Sequence, residues 1–336
     1  MPTDHHLSFH QTQATFYVEE VLSYSLAGEG AFRFALIRKQ NQSTQAVKRR
    51  ISEETGVPLR HIHHAGKKDA AATATQWLSW PEAMARREPR GQSGAEILAL
   101  DRHTNALQIG HIKANRFRMI LDGHEGELPE HLREPASFFF PNFFGGQRFG
   151  QGEPDKAQIK SGLAEPMRDR DRISVFQAAL FNAYLRDRWT TRGMDPGAAE
   201  FWTQSNGKRV FWAETDEDLM TRFAGGEVLP TGPVYGYKVK LSQDEIAFLQ
   251  VRDLAQESFR PWGKIARGAR RPLFCRADGL KVTENIARKQ LVLDFNLPSG
   301  SYATVFLTFL FQPALFSQAK FAWPNFTHRI SLGDPA

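Results

Sequence analysis

Apolar and polar residues alternate along the first part of the chain in the manner of strands. Residues 16–22 (Phe-Tyr-Val-Glu-Glu-Val-Leu) and 32–38 (Phe-Arg-Phe-Ala-Leu-Ile-Arg) flank Gly28-Glu29-Gly30, a pattern that predicts a hairpin. Residues 44–54 predict a helix, with Ser43 or Thr44 as its cap and Ala46, Val47 and Ile51 along one face. Strand patterns recur at 72–80 and 96–100. A further pair, 106–110 and 116–121, surrounds Lys113-Ala114-Asn115, and one reading of Asn115 is a turn residue that satisfies its own backbone.

The pattern then changes. Residues 135–152 are dense in Phe, Pro and Gly and read as a junction. Residues 174–188 form an amphipathic helix, with Phe176, Leu180 and Tyr184 at i, i+4 and i+8. The stretches 241–258 and 259–267 read as largely helical, with Pro261 at a break or a helix start. Strands are expected again at 289–296 and 302–309, joined by Leu297-Pro298-Ser299-Gly300-Ser301. Strands, a helix-rich middle and strands again make an α+β protein. Either a middle domain is inserted into a discontinuous first one, or two domains follow each other; periodicity is compatible with both.

Composition narrows the class. The chain has 336 residues, 41% hydrophobic and 24% charged, enough to bury a substantial core without covalent staples. Cys275 is the only cysteine, which excludes an internal disulfide and a Cys-rich zinc site, fits a reducing compartment and reads as structural. No apolar run approaches the roughly 18 residues of a membrane span. The N-terminal residues lack a basic-then-apolar leader, and His5-His6 reads as a solvated terminus, so a cytoplasmic protein is expected. A net charge of +6 suits a polyanion. Many of the 26 phenylalanines serve the core. Others stand beside cationic or amide residues, as in Asn115-Arg116-Phe117-Arg118, a combination that holds unpaired bases.

Motifs for other chemistries are missing. Gly145-Gly146-Gln147-Arg148-Phe149-Gly150 lacks the Gly-Lys-Ser/Thr ending of a phosphate-binding loop. His61, His63 and His64 cluster without carboxylates nearby and read as a polar strand or loop, so no metal site is expected. One carboxylate stands out by its setting: Asp69, at the end of His64-Ala65-Gly66-Lys67-Lys68-Asp69. Gly66 permits a tight turn there, and two lysines can keep the carboxylate ionised and face phosphates. By composition alone the same stretch also reads as a solvated surface turn.

Ala65-Gly66-Lys67-Lys68-Asp69, followed by Gln76-Trp77, resembles the catalytic motif of the TruD family of tRNA pseudouridine synthases. Other segments resemble that family in the same order: Phe16-Tyr17-Val18-Glu19-Glu20, Lys39 through Thr44, Lys113-Ala114-Asn115-Arg116-Phe117, and the stretch from Pro141 to Gly150. Ser174-Val175-Phe176-Gln177, Leu180-Phe181-Asn182, Leu229-Pro230-Thr231-Gly232-Pro233, Arg270-Arg271-Pro272 and the stretch from Leu297 to Thr304 complete the series.

The resemblance implies isomerisation of a uridine in structured RNA, with uridine 13 of tRNA as the expected target. Asp69 matches the catalytic aspartate. Phe16, Asn115 and Tyr302 match residues that face the flipped nucleotide, and Phe117 walls the same pocket; ordinary strand core is the alternative for Phe16 and Phe117. It also implies a discontinuous pseudouridine-synthase-like catalytic domain with a mixed or antiparallel sheet, residues 1–138 and 277–336. An α/β TruD-specific domain, residues 139–276, is inserted into it, and the RNA enters a basic cleft between the two. The reaction rearranges atoms already in the nucleotide, so no cofactor is expected. Neither DNA nor a membrane is expected as a partner, and a monomer is the expected state.

Some segments depart from the family. Ala31-Phe32 stands where Glu-His is usual, and His103-Thr104-Asn105-Ala106-Leu107-Gln108 lacks two basic residues. The threonine expected before Gln76 is displaced, Thr308-Phe309 replaces a common Arg-Glu pair, and the aromatic tail after Phe311 shows no family pattern. A divergent synthase is therefore expected. The alternatives are a synthase for another RNA, or a catalytically silent RNA-binding or RNA-folding protein of the same fold.

Overall fold

The structure is a computed structural model that describes residues 6–68, 70–91, 94–125, 127–128, 132–134, 136–150, 152–166, 169–205, 209–312 and 330–331. Asp69 and the tail residues Phe316, Phe321, Trp323 and Phe326 lie outside them. In chain order the first elements are β1 (His6–Leu7), β2 (Phe16–Leu22), β3 (Phe32–Lys39), α1 (Thr44–Thr55), β4 (His63–His64), β5 (Thr73–Pro81), β6 (Ala95–His103), β7 (Ile112–Asp122) and β8 (Ala136–Pro141). Next come α2 (Lys156–Ala164), α3 (Arg170–Arg192), β9 (Ala199–Gln204), β10 (Val210–Glu214), α4 (Glu217–Ala224), β11 (Val228–Val234), α5 (Gln243–Gln250) and β12 (Ala269–Pro272). The chain closes with β13 (Phe274–Asn285), β14 (Gln290–Pro298), α6 (Ala303–Phe311) and β15 (Ile330–Ser331). This is an α+β protein. Among the described residues, no helix is long and apolar enough to cross a membrane.

The described residues form two compact units: one from Met1–Phe138, Ala277–Gly300 and Asn325–Ala336, the other from Phe139–Arg276 and Ser301–Pro324. The first is built on a mixed sheet in the order β6-β3-β5-β2-β7-β14-β13. The β2/β5 pair is parallel, whereas β3/β5, β3/β6, β2/β7, β7/β14 and β13/β14 are antiparallel. The expected hairpin is therefore corrected: β2 and β3 are both present but β5 lies between them. Gly30 does not serve a local hairpin. Its φ is +128° and a Cβ there would meet the backbone of His103 at 2.4 Å, so the glycine lets this loop pass against the end of β6.

Helix α1 starts where Ser43 accepts a hydrogen bond from the Ala46 N–H and stops at Gly56, which takes a left-handed conformation. It lays Val47 and Ile51 against Ala35, Ile37, Leu78 and Trp80 of the sheet. Truncating one such core side chain to alanine costs about 2–5 kcal/mol. The sheet's opposite face carries Phe34, packed with Ala65, Leu107 and Ile112. Residues 106–110, expected as a strand, are loop and turn, whereas β7 begins earlier than its pattern suggested and takes in Asn115.

The second unit combines helices with a four-stranded antiparallel sheet, β10-β9-β11-β12. Its core forms around α3, where Ile173, Phe176 and Leu180 meet Ile159, Tyr235, Phe259 and Trp262. Gly162 of α2 lets that helix approach closely, since a Cβ there would meet the Phe176 ring at 2.2 Å. The stretch expected as a helix over 259–267 is a 3-10 segment, Gln256–Ala266, interrupted at Gly263. Residues 302–309, expected as a strand, form α6 instead. Val305, Phe306, Leu307, Thr308, Leu310 and Phe311 are all buried, so the helix has no polar stripe by which to be recognised.

Candidate active site

Three of the expected site residues share one face of the first unit's sheet. In β7 the burial alternates, with Asn115, Phe117, Met119 and Leu121 buried and Arg116 and Arg118 exposed. Asn115 lies opposite Glu20 of β2 and Leu297 of β14, and Phe117 lies opposite Val18 and Phe295. The turn reading of Asn115 is thus replaced by a position inside a central strand. The Phe16 ring stacks on Phe117 at 5.9 Å between centroids, and Phe117 stacks on Phe295 at 5.4 Å. Phe117 is buried, whereas Phe16 is half-buried at the end of this ladder of rings.

Among the described residues, Asn115 is a buried amide with an unpaired acceptor, as Gln76 is one with an unpaired donor. Asn115 is 9% exposed, and its Oδ1 has no hydrogen-bond partner among the described residues. Leaving such an acceptor unpaired costs about 1–3 kcal/mol, which a ligand, an ion or an ordered water offsets when it completes the bonding.

Beside Asn115, Glu20 starts a network that grips the chain immediately ahead of Asp69. The Glu20 side chain is fully buried; its carboxylate takes the Lys68 Nζ at 2.6 Å and the backbone N–H of Trp77 at 2.9 Å. The Lys68 backbone N–H donates to Thr44 Oγ1 at 3.0 Å, and that hydroxyl donates to Gln76 Oε1 at 2.9 Å. The Lys68 carbonyl accepts from the buried Lys39 Nζ at 3.1 Å, which also donates to the Gln42 carbonyl at 2.7 Å. All three polar groups of Lys68 are therefore held. On the far side of the loop, the Thr73 hydroxyl donates to the Gln13 carbonyl at 2.9 Å. Lys68 accordingly does not face solvent phosphates as expected; Lys67, beside it, is exposed.

These contacts give a physical account of several sequence motifs. Glu20, Lys39, Thr44, Lys68 and Gln76 come from five separate segments and meet in one buried polar cluster. Their roles were not recognisable one at a time; the signal was the recurrence of polar residues within otherwise apolar strands. Close by, His63 and His64 in β4 are held below the ordinary histidine value, first by burial and then by the charge of Lys48.

Tyr302 belongs to the second unit, at the start of α6. Its ring lies edge-on to Phe144 at 6.2 Å between centroids and passes over Gly145, where a Cβ would approach it to 2.8 Å. The Phe144 backbone is clamped by Asn182, whose Oδ1 accepts from the Phe144 N–H at 2.8 Å and whose Nδ2 donates to its carbonyl at 3.0 Å. The Arg271 guanidinium covers the Phe144 ring at 4.2 Å and donates from Nε to the Asn142 carbonyl at 3.2 Å. The Pro141–Gly150 stretch, Asn182 and Arg271 thus form one brace under Tyr302. Cys275 sits beneath it against Ser301, and burial pushes its thiol up to about 11, in keeping with a structural cysteine.

Comparison with known proteins gives these motifs a context. The model of the family described as "tRNA pseudouridine synthase D (TruD)" matches residues 6–164 and 172–308. A tRNA pseudouridine synthase D from Thermus thermophilus is 33% identical over 306 residues, 87% of this chain and 85% of the relative. One from Anaeromyxobacter sp. is 33% identical over 336 residues, 89% of this chain and 90% of the relative. Among solved structures, the crystal structure of a Methanosarcina mazei protein has a similar fold. Its TM-score is 0.66 at 18% identity, over 91% of this chain and 93% of that one.

Proposed function

The chain belongs to the tRNA pseudouridine synthase D family, a family of isomerases, and from that premise we propose that it converts uridine 13 of tRNA to pseudouridine with Asp69 as the catalytic carboxylate. The bond from ribose C1′ to uracil N1 breaks, the base turns, a bond forms from C1′ to C5, C5 releases its proton to solvent and N1 takes one up. Asp69 either attacks C1′ as a nucleophile or removes a ribose proton as a base. Both routes require the carboxylate ionised and held close to the sugar, and the nucleotide out of its stack.

The observation that carries this reading is the grip on Lys68. Three separate contacts position the residue that precedes Asp69, on a loop pinned again at Thr73. Such over-determination suits a side chain whose placement governs a rate. Asn115, with its unpaired Oδ1, reads the edge of the uracil, and the stacked rings of Phe16 and Phe117 present an aromatic wall. Tyr302 is assigned by family correspondence to the same nucleotide. By family correspondence the catalytic domain is assigned to residues 1–138 and 277–336 and the inserted domain to 139–276, although Ser301 to Gln312 cluster with the second compact unit, in a cytoplasmic, monomeric enzyme.

Incubation with unmodified tRNA tests the assignment. The parent protein is expected to form pseudouridine at position 13, and Asp69→Asn to form none while retaining tRNA binding. Modification by Asp69→Asn at the parental rate would show that another group carries the chemistry. The uncharged His103–Gln108 segment favours a second reading, an RNA-binding protein without catalysis; retention of tRNA with no pseudouridine from the parent protein would select it.

A further inference from the structure

Cations on the second unit fall into two classes. Lys156 and Lys160 pair with Asp253, Arg222 with Asp218 and Glu227, Arg252 with Asp187, and Arg270 with Glu245. Lys238, Lys240, Lys264 and Arg267 are exposed, and among the described residues none of them makes an ion pair. These four come from two stretches without acidic residues: 228–243 contains Lys238 and Lys240, and 258–276 contains Arg260, Lys264, Arg267, Arg270, Arg271 and Arg276.

The backbone brings the two stretches together. The Tyr237 N–H donates to the Ala266 carbonyl at 3.1 Å, and the Lys238 N–H to the Arg267 carbonyl at 2.9 Å. This close crossing depends on two glycines. A Cβ on Gly236 would meet Gly268 N at 2.2 Å, and Gly268 has φ +81° with a Cβ position 2.9 Å from Gly236 N. The Gln256 amide donates to the carbonyls of Gly236 and Val239 and fixes the 236–239 loop from beneath. Arg270, itself neutralised by Glu245, donates to the Lys240 carbonyl at 3.2 Å and ties that residue to the same surface. Cations carried on two backbone segments that cross here repel one another, and a polyanion relieves that repulsion.

We propose that Lys238, Lys240, Lys264 and Arg267 form a surface that binds the phosphate backbone of the tRNA substrate. It is an electrostatic contact, independent of base identity, that contributes to affinity and leaves the chemical step alone. The inference rests on the reading of the protein as a tRNA-modifying enzyme, from which the polyanion takes its name.

The test uses the full chain carrying Lys238→Gln, Lys264→Gln and Arg267→Gln together, with Lys156→Gln/Lys160→Gln as the control. Binding of unmodified tRNA is measured between about 50 and about 200 mM salt. Each lost phosphate contact reduces the slope of log affinity against log salt by about 0.7–0.9, so three reduce it by about 2–3. The loss of affinity across that salt range is then about 20- to 40-fold smaller for the triple variant than for the parent. The control keeps the parental slope, and turnover by the triple variant at saturating tRNA stays parental. A triple variant that melts like the parent and keeps its slope overturns the inference, as does loss of binding to anionic vesicles with tRNA binding unchanged. If the parent binds tRNA without forming pseudouridine while the triple variant loses slope, the surface stands and the enzymatic reading falls.

Discussion

Replacing Lys68 by methionine separates a structural role of its ion pair from a positioning role. The Glu20 side chain is fully buried and that of Lys68 is 11% exposed, so Lys68→Met leaves a buried carboxylate with the Trp77 N–H as its remaining partner. Breaking a buried pair from one side costs about 3–5 kcal/mol. Adding Glu20→Gln removes the stranded charge and keeps an oxygen for the Trp77 N–H. The double variant is therefore expected to regain stability over the single one, to within about 1–3 kcal/mol of the parent, the cost of its unpaired amide N–H. Activity is expected to behave differently. A displacement on the order of 1 Å at a reacting group costs about 100-fold in rate. Because Thr44 and Lys39 still hold the Lys68 backbone, the expected loss is smaller, about 10-fold, and it persists in the double variant. Urea denaturation gives the stabilities, and single-turnover pseudouridine formation with enzyme in excess over tRNA gives the rates. Recovery of the rate together with the stability in the double variant would refute positioning and leave the pair a purely structural one.

Asn115→Ala is expected to change stability by less than about 1 kcal/mol, because its Oδ1 has no partner to lose, and to lower kcat/KM by about 10- to 100-fold; thermal melts and steady-state kinetics check the two halves. Tyr302→Phe keeps the ring and is expected to keep the rate, whereas Tyr302→Ala loses a stacking surface worth about 1–3 kcal/mol, read as a drop in kcat/KM. Gly145→Ala places a Cβ 2.8 Å from the same ring and is expected to fall between those two variants. His63 and His64 are held below the ordinary histidine value of about 6.5, so below that pH the unfolded chain binds more protons than the folded one and stability falls as pH falls. In His63→Gln/His64→Gln that fall is expected to be shallower between about pH 6.5 and 5 in denaturation curves.

Elements whose burial is one-sided were legible. The alternation of β2, β7 and β14 and the Ser43 cap of α1 are local signals of this kind, and the structure agrees with them within a few residues; β5, also expected as a strand, is buried on both faces. What failed depended on partners far away in sequence. Gly28-Glu29-Gly30 is a good local turn, yet the strand that pairs with both β2 and β3 is β5, contributed after α1 and the 56–72 segment. Residues 302–309 are rich in β-branched and aromatic residues, a strand composition, but only Tyr302, Thr304 and Phe309 among them are half-buried and the rest are buried, too little exposure for the helical period to show. Lys113-Ala114-Asn115 has turn composition and continues a strand because β2 and β14 supply ladder partners on both sides.

At the candidate site the motifs were visible and their cause was not. Lys67 and Lys68 are adjacent and identical in type, and composition offers no reason to treat them differently. The fold separates them: Lys67 reaches solvent, whereas Lys68 crosses to a carboxylate that sits 48 positions earlier on a central strand. That partner is identifiable only once β2 and β5 are known to be parallel neighbours, since this pairing sets Glu20 beside Gln76-Trp77 in the middle of β5. Thr44 and Lys39 join the cluster for the same reason, from the start of α1 and the end of β3. A buried charge needs compensation wherever the fold puts it, so the residues that compensate one another here are constrained together although the chain separates them. The predicted split between stability and rate at Lys68 follows directly: Glu20 fixes the charge balance, while the side-chain and backbone contacts of Lys68 together fix the path of the chain ahead of Asp69.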